Sequence, residues 1–242
     1  MKIPERTLRS GGIQGSRATR WIFVGPAMLV VICLLIYPLL STLMYSFTNK
    51  TMIRNDFDVV GLQNYIDILT DGDFYSAFGH TLLWTLFSVL GQLIVGFIGA
   101  LALNRVQNKV AKNLFRIFAI IPWAFPAIAT AMTWKWLLNG IHGFVPTLLR
   151  DLGITPELIQ FLSDKNLVLP TLIFINIWFG APLILVNVYA ALQTIPQDQY
   201  EAAQIDGAGK TQRIFRITIP MVRPTMIILV LLAVGGIFRG NF

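Results

Sequence analysis

Ionisable chemistry is scarce in this chain. Charged residues make up 13% of the 242 and apolar residues 55%. That balance is too apolar for a soluble domain and ordinary for a multi-span membrane protein. There is one cysteine, Cys33, inside an apolar run, so no intrachain disulfide can form. The two histidines, His80 and His142, stand far apart with no ligand cluster around either, and no metal-site spacing results. The centres of the long apolar runs hold no Asp, Glu, Lys, Arg or His; Lys135 and Arg239 sit toward run ends. Proton-coupled carriers use such groups as relays. Membrane enzymes need paired carboxylates, a nucleophile with its base, or metal ligands. The sequence argues against both and predicts no cofactor. A sodium-coupled carrier built on the carbonyls of broken helices stays open.

What is present is a series of apolar runs. The sequence predicts an all-α, polytopic membrane helix bundle with spans at about 21–47, 81–104, 117–138, 168–193 and 222–240. Residues 1–20 read as a basic, disordered cytoplasmic tail. A signal peptide also starts basic and then apolar. The run at 21–47 is long enough to span, however, and lacks a small-x-small cleavage pattern after it. Pro26 and Pro38 are expected as tolerated kinks in the first span. Gly91, Gly96 and Gly99 give the second a small-residue face for close packing. Pro122 and Pro126 are expected to kink the third near its start. Trp134, Lys135 and Trp136 fit an interface belt at its end.

The net charge of +7 would suit a nucleic-acid partner, but its distribution does not. Thirteen of the nineteen Lys and Arg residues fall in the tail, in the stretch from Arg105 to Arg116, and around the polar stretch from Tyr200 to Arg223. Eight of the twelve acidic residues fall in the opposite set of loops. One orientation satisfies the positive-inside rule throughout, with the N-terminus in the cytoplasm. The partners this predicts are membrane lipid and cytoplasmic protein, with no nucleic acid.

Residues 195–220 form a polar island between two apolar runs. Pro196 stands near a helix start, where its missing N–H costs nothing. Gly207 and Gly209 can take the left-handed conformation that ends a helix. A second short helix is expected to follow and to stop at Pro220. Ala202, Ala203, Gly207 and Ala208 would let another surface approach the corner closely. The run Gly207-Ala208-Gly209-Lys210-Thr211 imitates the tail of a phosphate-binding loop. That loop needs another glycine where Gln204 stands, and a preceding strand, so ATP binding by this chain is rejected.

Glu201-Ala202-Ala203, then Gly207, then Ile217 and Pro220, matches without a gap the EAA signature of binding-protein-dependent ABC importer permeases, with Ile219 in place of Leu. The chain resembles the carbohydrate class of that family from about Trp21 to Phe242. Gly61-Leu62-Gln63-Asn64-Tyr65 and the stretch from Ile121 to Trp136 are similar as well. The resemblance implies a type I permease in a bacterial or archaeal cell membrane. Its implied partners are a dimer of ABC ATPase subunits, a second permease subunit and an extracytoplasmic solute-binding protein. Glu201, Ala202, Ala203, Asp206 and Gly207 would form the coupling element that docks on the ATPase. Six core spans are usual in the family, so a C-terminal span is expected to be missing here.

Asn176-Ile177-Trp178-Phe179-Gly180-Ala181-Pro182 looks like the Asn-x-Trp-x-Gly-x-Pro run of maltose-type permeases. The resemblance implies sugar contacts from Asn176, Phe179, Gly180 and Leu183. Amides hydrogen-bond hydroxyls, and aromatic faces stack on sugar rings; Asn176 could equally bond a neighbouring helix. In the fifth span the family has an asparagine-rich patch, and here the matching residues are Leu232, Gly235, Gly236 and Arg239. Two glycines would widen the cavity without bonding a sugar. Arg239 could pair an anionic group, such as a uronate or phosphate, or snorkel to the outer interface. A neutral oligosaccharide is the default substrate. Beside the importer reading stand a secondary carrier or channel for a small solute, and a membrane scaffold that transports nothing.

Overall fold

The computed structural model of the chain describes residues 17–51 and 57–238. Most of the basic tail expected at 1–20, and Arg239, lie outside those residues. Regular structure among the described residues is helical, apart from one antiparallel bridge between Thr48 and Val59. Two compact units divide after Tyr75.

The first unit contains α1 (Arg17–Val31), a π-helical segment (Ile32–Ile36), α2 (Tyr37–Tyr45) and α3 (Gln63–Thr70). The first three make one apolar candidate span, Val24–Tyr45. The π segment has a local cause. Pro38 has no N–H for the carbonyl one turn back, and its ring crowds that carbonyl. Widening the turn just before it, so that Tyr37 N–H bonds Ile32 O, relieves the conflict. The span ends in a clasp. Asn64 Nδ2 donates to Ser46 O at 2.8 Å and to Thr48 O at 2.9 Å, filling carbonyls left open at a helix end. Tyr65 Oη lies 2.7 Å from Ser46 Oγ, and its ring packs on Phe47. Gly61 turns the chain with φ +61°. The Gly-Leu-Gln-Asn-Tyr run is thus a splice that holds a loop against the end of a span.

The second unit is built on two long helices. Helix α4 (Gly72–Arg105) has 34 residues and a length of about 51 Å, well beyond a hydrocarbon core of about 30 Å. It starts nine residues before the expected span at 81–104 because nothing from Gly72 to His80 breaks a helix. Helix α8 (Val168–Leu192) runs parallel to it. Gly91 faces Ile177, Gly96 faces Ile184 and Ala181, and Gly99 faces Leu185, so the two chains advance together. A Cβ on Gly96 would lie 2.7 Å from Ile184 Cβ and 2.9 Å from the Ala181 carbonyl oxygen. The glycine face expected from the sequence is this seam. Below it a core of Ala100, Ile184, Val188, Leu192, Val222 and Leu229 is buried.

The expected third span, 117–138, is not one helix. Helix α5 (Lys109–Ala124) and α6 (Ala127–Leu137) meet at 93°. Pro126 pushes Phe125 into an extended conformation (φ −81°, ψ 145°), and the kink expected from Pro122 and Pro126 is a right-angle break at Phe125–Pro126. Among the described residues four helices are long and apolar enough to cross a membrane, and the bent pair raises the number to five. Trp134 turns inward from the expected interface belt. Its ring meets Trp178 edge-on at 5.4 Å and Phe174 at 5.9 Å, while Trp136 stays exposed. Helix α7 (Phe144–Asp151) lies in the loop between α6 and α8.

After α8 come α9 (Gln197–Ile205), α10 (Lys210–Arg213), a second π segment (Ile214–Thr218) and α11 (Ile219–Phe238). The hairpin's second arm was expected to stop at Pro220, with a span starting near Val222. Instead Lys210–Ile237 is one helical run through Pro220 and Pro224. The reason is that of the first span: the π segment ends two residues before Pro220, and Ile219 N–H bonds Ile214 O.

Candidate functional site

The hairpin is closed by a glycine that no other residue replaces without strain. Helix α9 ends at Ile205 with Asp206 as its C-cap, and Gly207 takes φ +78°. Ala208 N–H then bonds Ala203 O at 2.8 Å, and Gly207 N–H bonds Gln204 O at 3.1 Å. These two bonds define a Schellman stop, in which a left-handed residue satisfies the last carbonyls of the helix. On the other side of the corner Gly209 N–H donates to Gln212 Oε1 at 3.0 Å, which opens α10.

Two side-chain ties brace the inner face. Tyr200 Oη and Thr218 Oγ1 are 2.9 Å apart, joining α9 to the π segment. Arg213 donates to Gln204 Oε1 at 3.2 Å. Tyr200 and Gln204 are one helical turn apart, so Glu201 and Ala202 between them point away. Glu201, Ala202, Asp206 and Gly207 are exposed and Ala203 is half-buried. No carboxylate of the hairpin pairs with a cation among the described residues. Beside them Ile205 is 87% exposed, an apolar knob on a polar helix. The sequence reading missed Ile205. Its signal was the four-residue spacing from Glu201, which places both on the unbraced face.

The residues proposed from the sequence for sugar contact separate into three groups. Asn176 is 3% exposed, and its Oδ1 accepts from Gln92 Nε2 at 2.6 Å. The same Nε2 reaches Asn176 O at 3.2 Å, while Asn176 Nδ2 is buried with no partner among the described residues. Gly180, one turn on, faces the Gln92 carboxamide, which occupies the space a Cβ would need. Gln92 therefore joins Asn176 and Gly180, and the sequence reading did not include it. Thr85, Ser88 and Gln92 form one buried polar face of α4, at three- and four-residue spacing. That polar run inside an apolar helix was the available signal. Phe179 and Leu183 are half-buried on α8. On α11 Leu232 is exposed, and among the described residues Gly235 and Gly236 have no neighbour within 4 Å of an added Cβ. Nothing among the described contacts joins these three to Asn176. Arg239 lies outside the described residues. No group of three or more His, Cys, Asp or Glu able to hold a metal occurs among the described residues.

Comparison with known proteins places this architecture. Residues 92–241 match the family model of the binding-protein-dependent transport system inner membrane component. The chain is 30% identical to the trehalose/maltose transport system permease protein MalF of Thermococcus litoralis over 88% of its own length and 70% of that protein's. It is 33% identical to the maltodextrin transport system permease protein MdxF of Bacillus subtilis, over 86% of its length and 51% of that protein's. The sulfoquinovosyl glycerol transport system permease protein SmoG of Agrobacterium fabrum is 30% identical over 93% and 76%. In fold, the chain superposes with a TM-score of 0.78 on a chain of a bacterial alginate ABC transporter solved with its alginate pentasaccharide-bound periplasmic protein. The identity there is 24%, with 90% of this chain and 72% of that one covered. A multi-pass helical chain with a braced hairpin between α8 and α11, matched in sequence over most of its length, belongs to the binding-protein-dependent transport system inner membrane components and is an ABC importer permease.

Proposed function

We propose that the chain carries a sugar or oligosaccharide across the cell membrane as one of two permease subunits, driven by ATP hydrolysis on separate ATPase subunits. The observation that carries this reading is the hairpin. Its inner face is tied down by Tyr200–Thr218 and Gln204–Arg213, and its outer face leaves Glu201, Ala202, Ile205, Asp206 and Gly207 uncovered. A rigid element that shows small residues and one apolar knob is suited to seating in a groove on a partner. It continues without a break into α11, so a push on the hairpin is delivered to a span. ATP-driven closure of the partner would reorient the spans by alternating access. A solute-binding protein would deliver substrate at the opposite face. The positive-inside distribution supports a cytoplasmic N-terminus and hairpin.

Sugar as the cargo class is supported by the names of the relatives, which include trehalose/maltose and maltodextrin systems. Asn176, Phe179, Gly180, Leu183, Leu232, Gly235, Gly236 and Arg239 are the proposed contacts. Asn176 is supported by its chemistry: Gln92 holds the oxygen of its amide, and Nδ2 is left to donate to a hydroxyl once α4 and α8 part. Arg239 would be the discriminator between acidic and neutral cargo; unchanged transport of every acidic sugar by Arg239→Ala removes it from the site.

The test is co-purification from native membranes in mild detergent. An ATPase and a second permease should accompany the wild-type chain and be weakened by Gly207→Asp. A chain that purifies alone overturns the importer assembly.

A further inference from the structure

We infer that the foot of the hairpin is a binding site for an anionic glycerophospholipid of the cytoplasmic leaflet. The inference takes the cytoplasmic placement of the hairpin from the reading above. A cleft of about 230 Å³ opens between the ends of α4 and α8 and the start of the Lys210 helix. Leu101, Leu192 and Ile214 wall it, and Arg105, Lys210 and Arg213 supply its charge. No carboxylate lines it, and none of the three cations is in an ion pair among the described residues. Arg213 donates to Gln204 and keeps further N–H groups.

A second cavity starts one residue further along the chain. Thr218 lines the first; Ile219 lines the second, an apolar groove of about 340 Å³ between α4 and α11. Leu93, Met226, Ile227, Val230 and Leu231 form it, with Arg223 as its one charged residue. Ile227 and Leu231 are exposed. A cationic cleft at a span's end, followed along the span by an open apolar groove, matches a phosphate headgroup followed by an acyl chain. A free phosphate would use the first cavity and leave the second without a purpose. A protein partner would bring carboxylates to the cleft and leave the groove likewise. A lipid bound there bridges the hairpin to α4, so it would stiffen the joint between coupling element and spans.

The test uses the chain with the partners that accompany it, reconstituted in nanodiscs of equal phosphatidylglycerol and phosphatidylcholine. Lipids retained through native mass spectrometry are counted. Wild type should retain phosphatidylglycerol in preference, by roughly fivefold per cation at low salt. The preference should shrink as salt rises, because exposed charges are screened. The triple variant R105Q/K210Q/R213Q should lose it, while R105K/R213K keeps it. Ile227→Trp with Leu231→Trp should lower retention by filling the groove. Equal retention of the two lipids by wild type, a preference indifferent to salt, or full preference in the triple variant overturns the inference. So does displacement of phosphatidylglycerol by millimolar inorganic phosphate, which would assign the cleft to a soluble anion. Nanodisc retention does not depend on which way the chain faces. Failure of the cytoplasmic placement is read separately, by labelling Asp206→Cys from one side of a sealed vesicle.

Discussion

A Cβ added to Gly96 would lie 2.7 Å from Ile184, whereas one added to Gly207 would meet nothing within 4 Å. The first glycine is there for space: it lets two helices touch backbone to side chain where no hydrophobic force between them exists in lipid. The second is there for its φ of +78°, which closes a helix without strain. The same contrast runs through the polar groups. In the seam, Gln92 and Asn176 bond each other out of reach of water. On the hairpin, Glu201 and Asp206 remain exposed. Within one unit, then, the seam is closed to water apart from its unpaired Asn176 Nδ2, and the hairpin is braced on one side only. The unbraced side is what a partner would complete.

That contrast can be broken at either end. The largest effect is expected from Gly96→Leu, which drives a branched side chain into Ile184 and the Ala181 carbonyl. Overpacking costs about 1–3 kcal/mol and often more against backbone. Loss of a monodisperse peak and a lower melting temperature in detergent should follow; a chain as stable as wild type would mean the seam is loose.

Next comes Gly207→Asp. Asp tolerates the left-handed region better than most residues, at a cost of about 1–2 kcal/mol. The chain should therefore fold and insert while transport drops by at least about tenfold, equivalent to about 1.4 kcal/mol of lost coupling. Vesicle uptake measured beside ATP hydrolysis reads the two apart, and normal uptake would end the docking role.

Smaller is Gln92→Leu, which leaves Asn176 Oδ1 unsatisfied as well as Nδ2. An orphaned buried polar group costs about 1–3 kcal/mol. The double variant with Asn176→Leu should recover part of that loss, and strict additivity in thermal melts would mean the pair is not coupled.

The smallest is Tyr200→Phe. It removes one hydrogen bond, worth about 0.5–1.5 kcal/mol, from the braced face of the hairpin. Faster amide exchange confined to 197–218 is expected, and unchanged exchange would remove Tyr200 as a brace.

Legibility from sequence followed the range of the forces involved. Helix α8 was placed within one residue of its observed ends because its boundaries are local: a polar loop before Val168, and Pro196 soon after Leu192. The stop at Gly207 was readable because a left-handed glycine after a helix is a property of a few neighbouring residues. The stop at Pro220 was misread because proline breaks an ideal α-helix, and the π segment that absorbs it is invisible in composition. The right angle at Pro126 exceeded the kink expected for the same kind of reason: the preference of Phe125 for an extended backbone is local, but the size of the turn depends on where each arm packs. Asn176 was singled out by its motif alone. Its partner Gln92 lies 84 residues earlier, and no pattern along one chain pairs them.

The sequence by itself determined that this is a helical membrane chain with its cations and its acids concentrated in alternate loops and a polar hairpin between spans. Those facts follow from apolar run length, from the cost of charge in hydrocarbon and from local turn chemistry. The tertiary structure alone decided which polar groups answer each other, which glycines are filled against and which stand free, and where cations gather into one cleft. Each of those depends on side chains distant in sequence meeting at a few ångströms, and packing selects such pairs only after every helix has its neighbours.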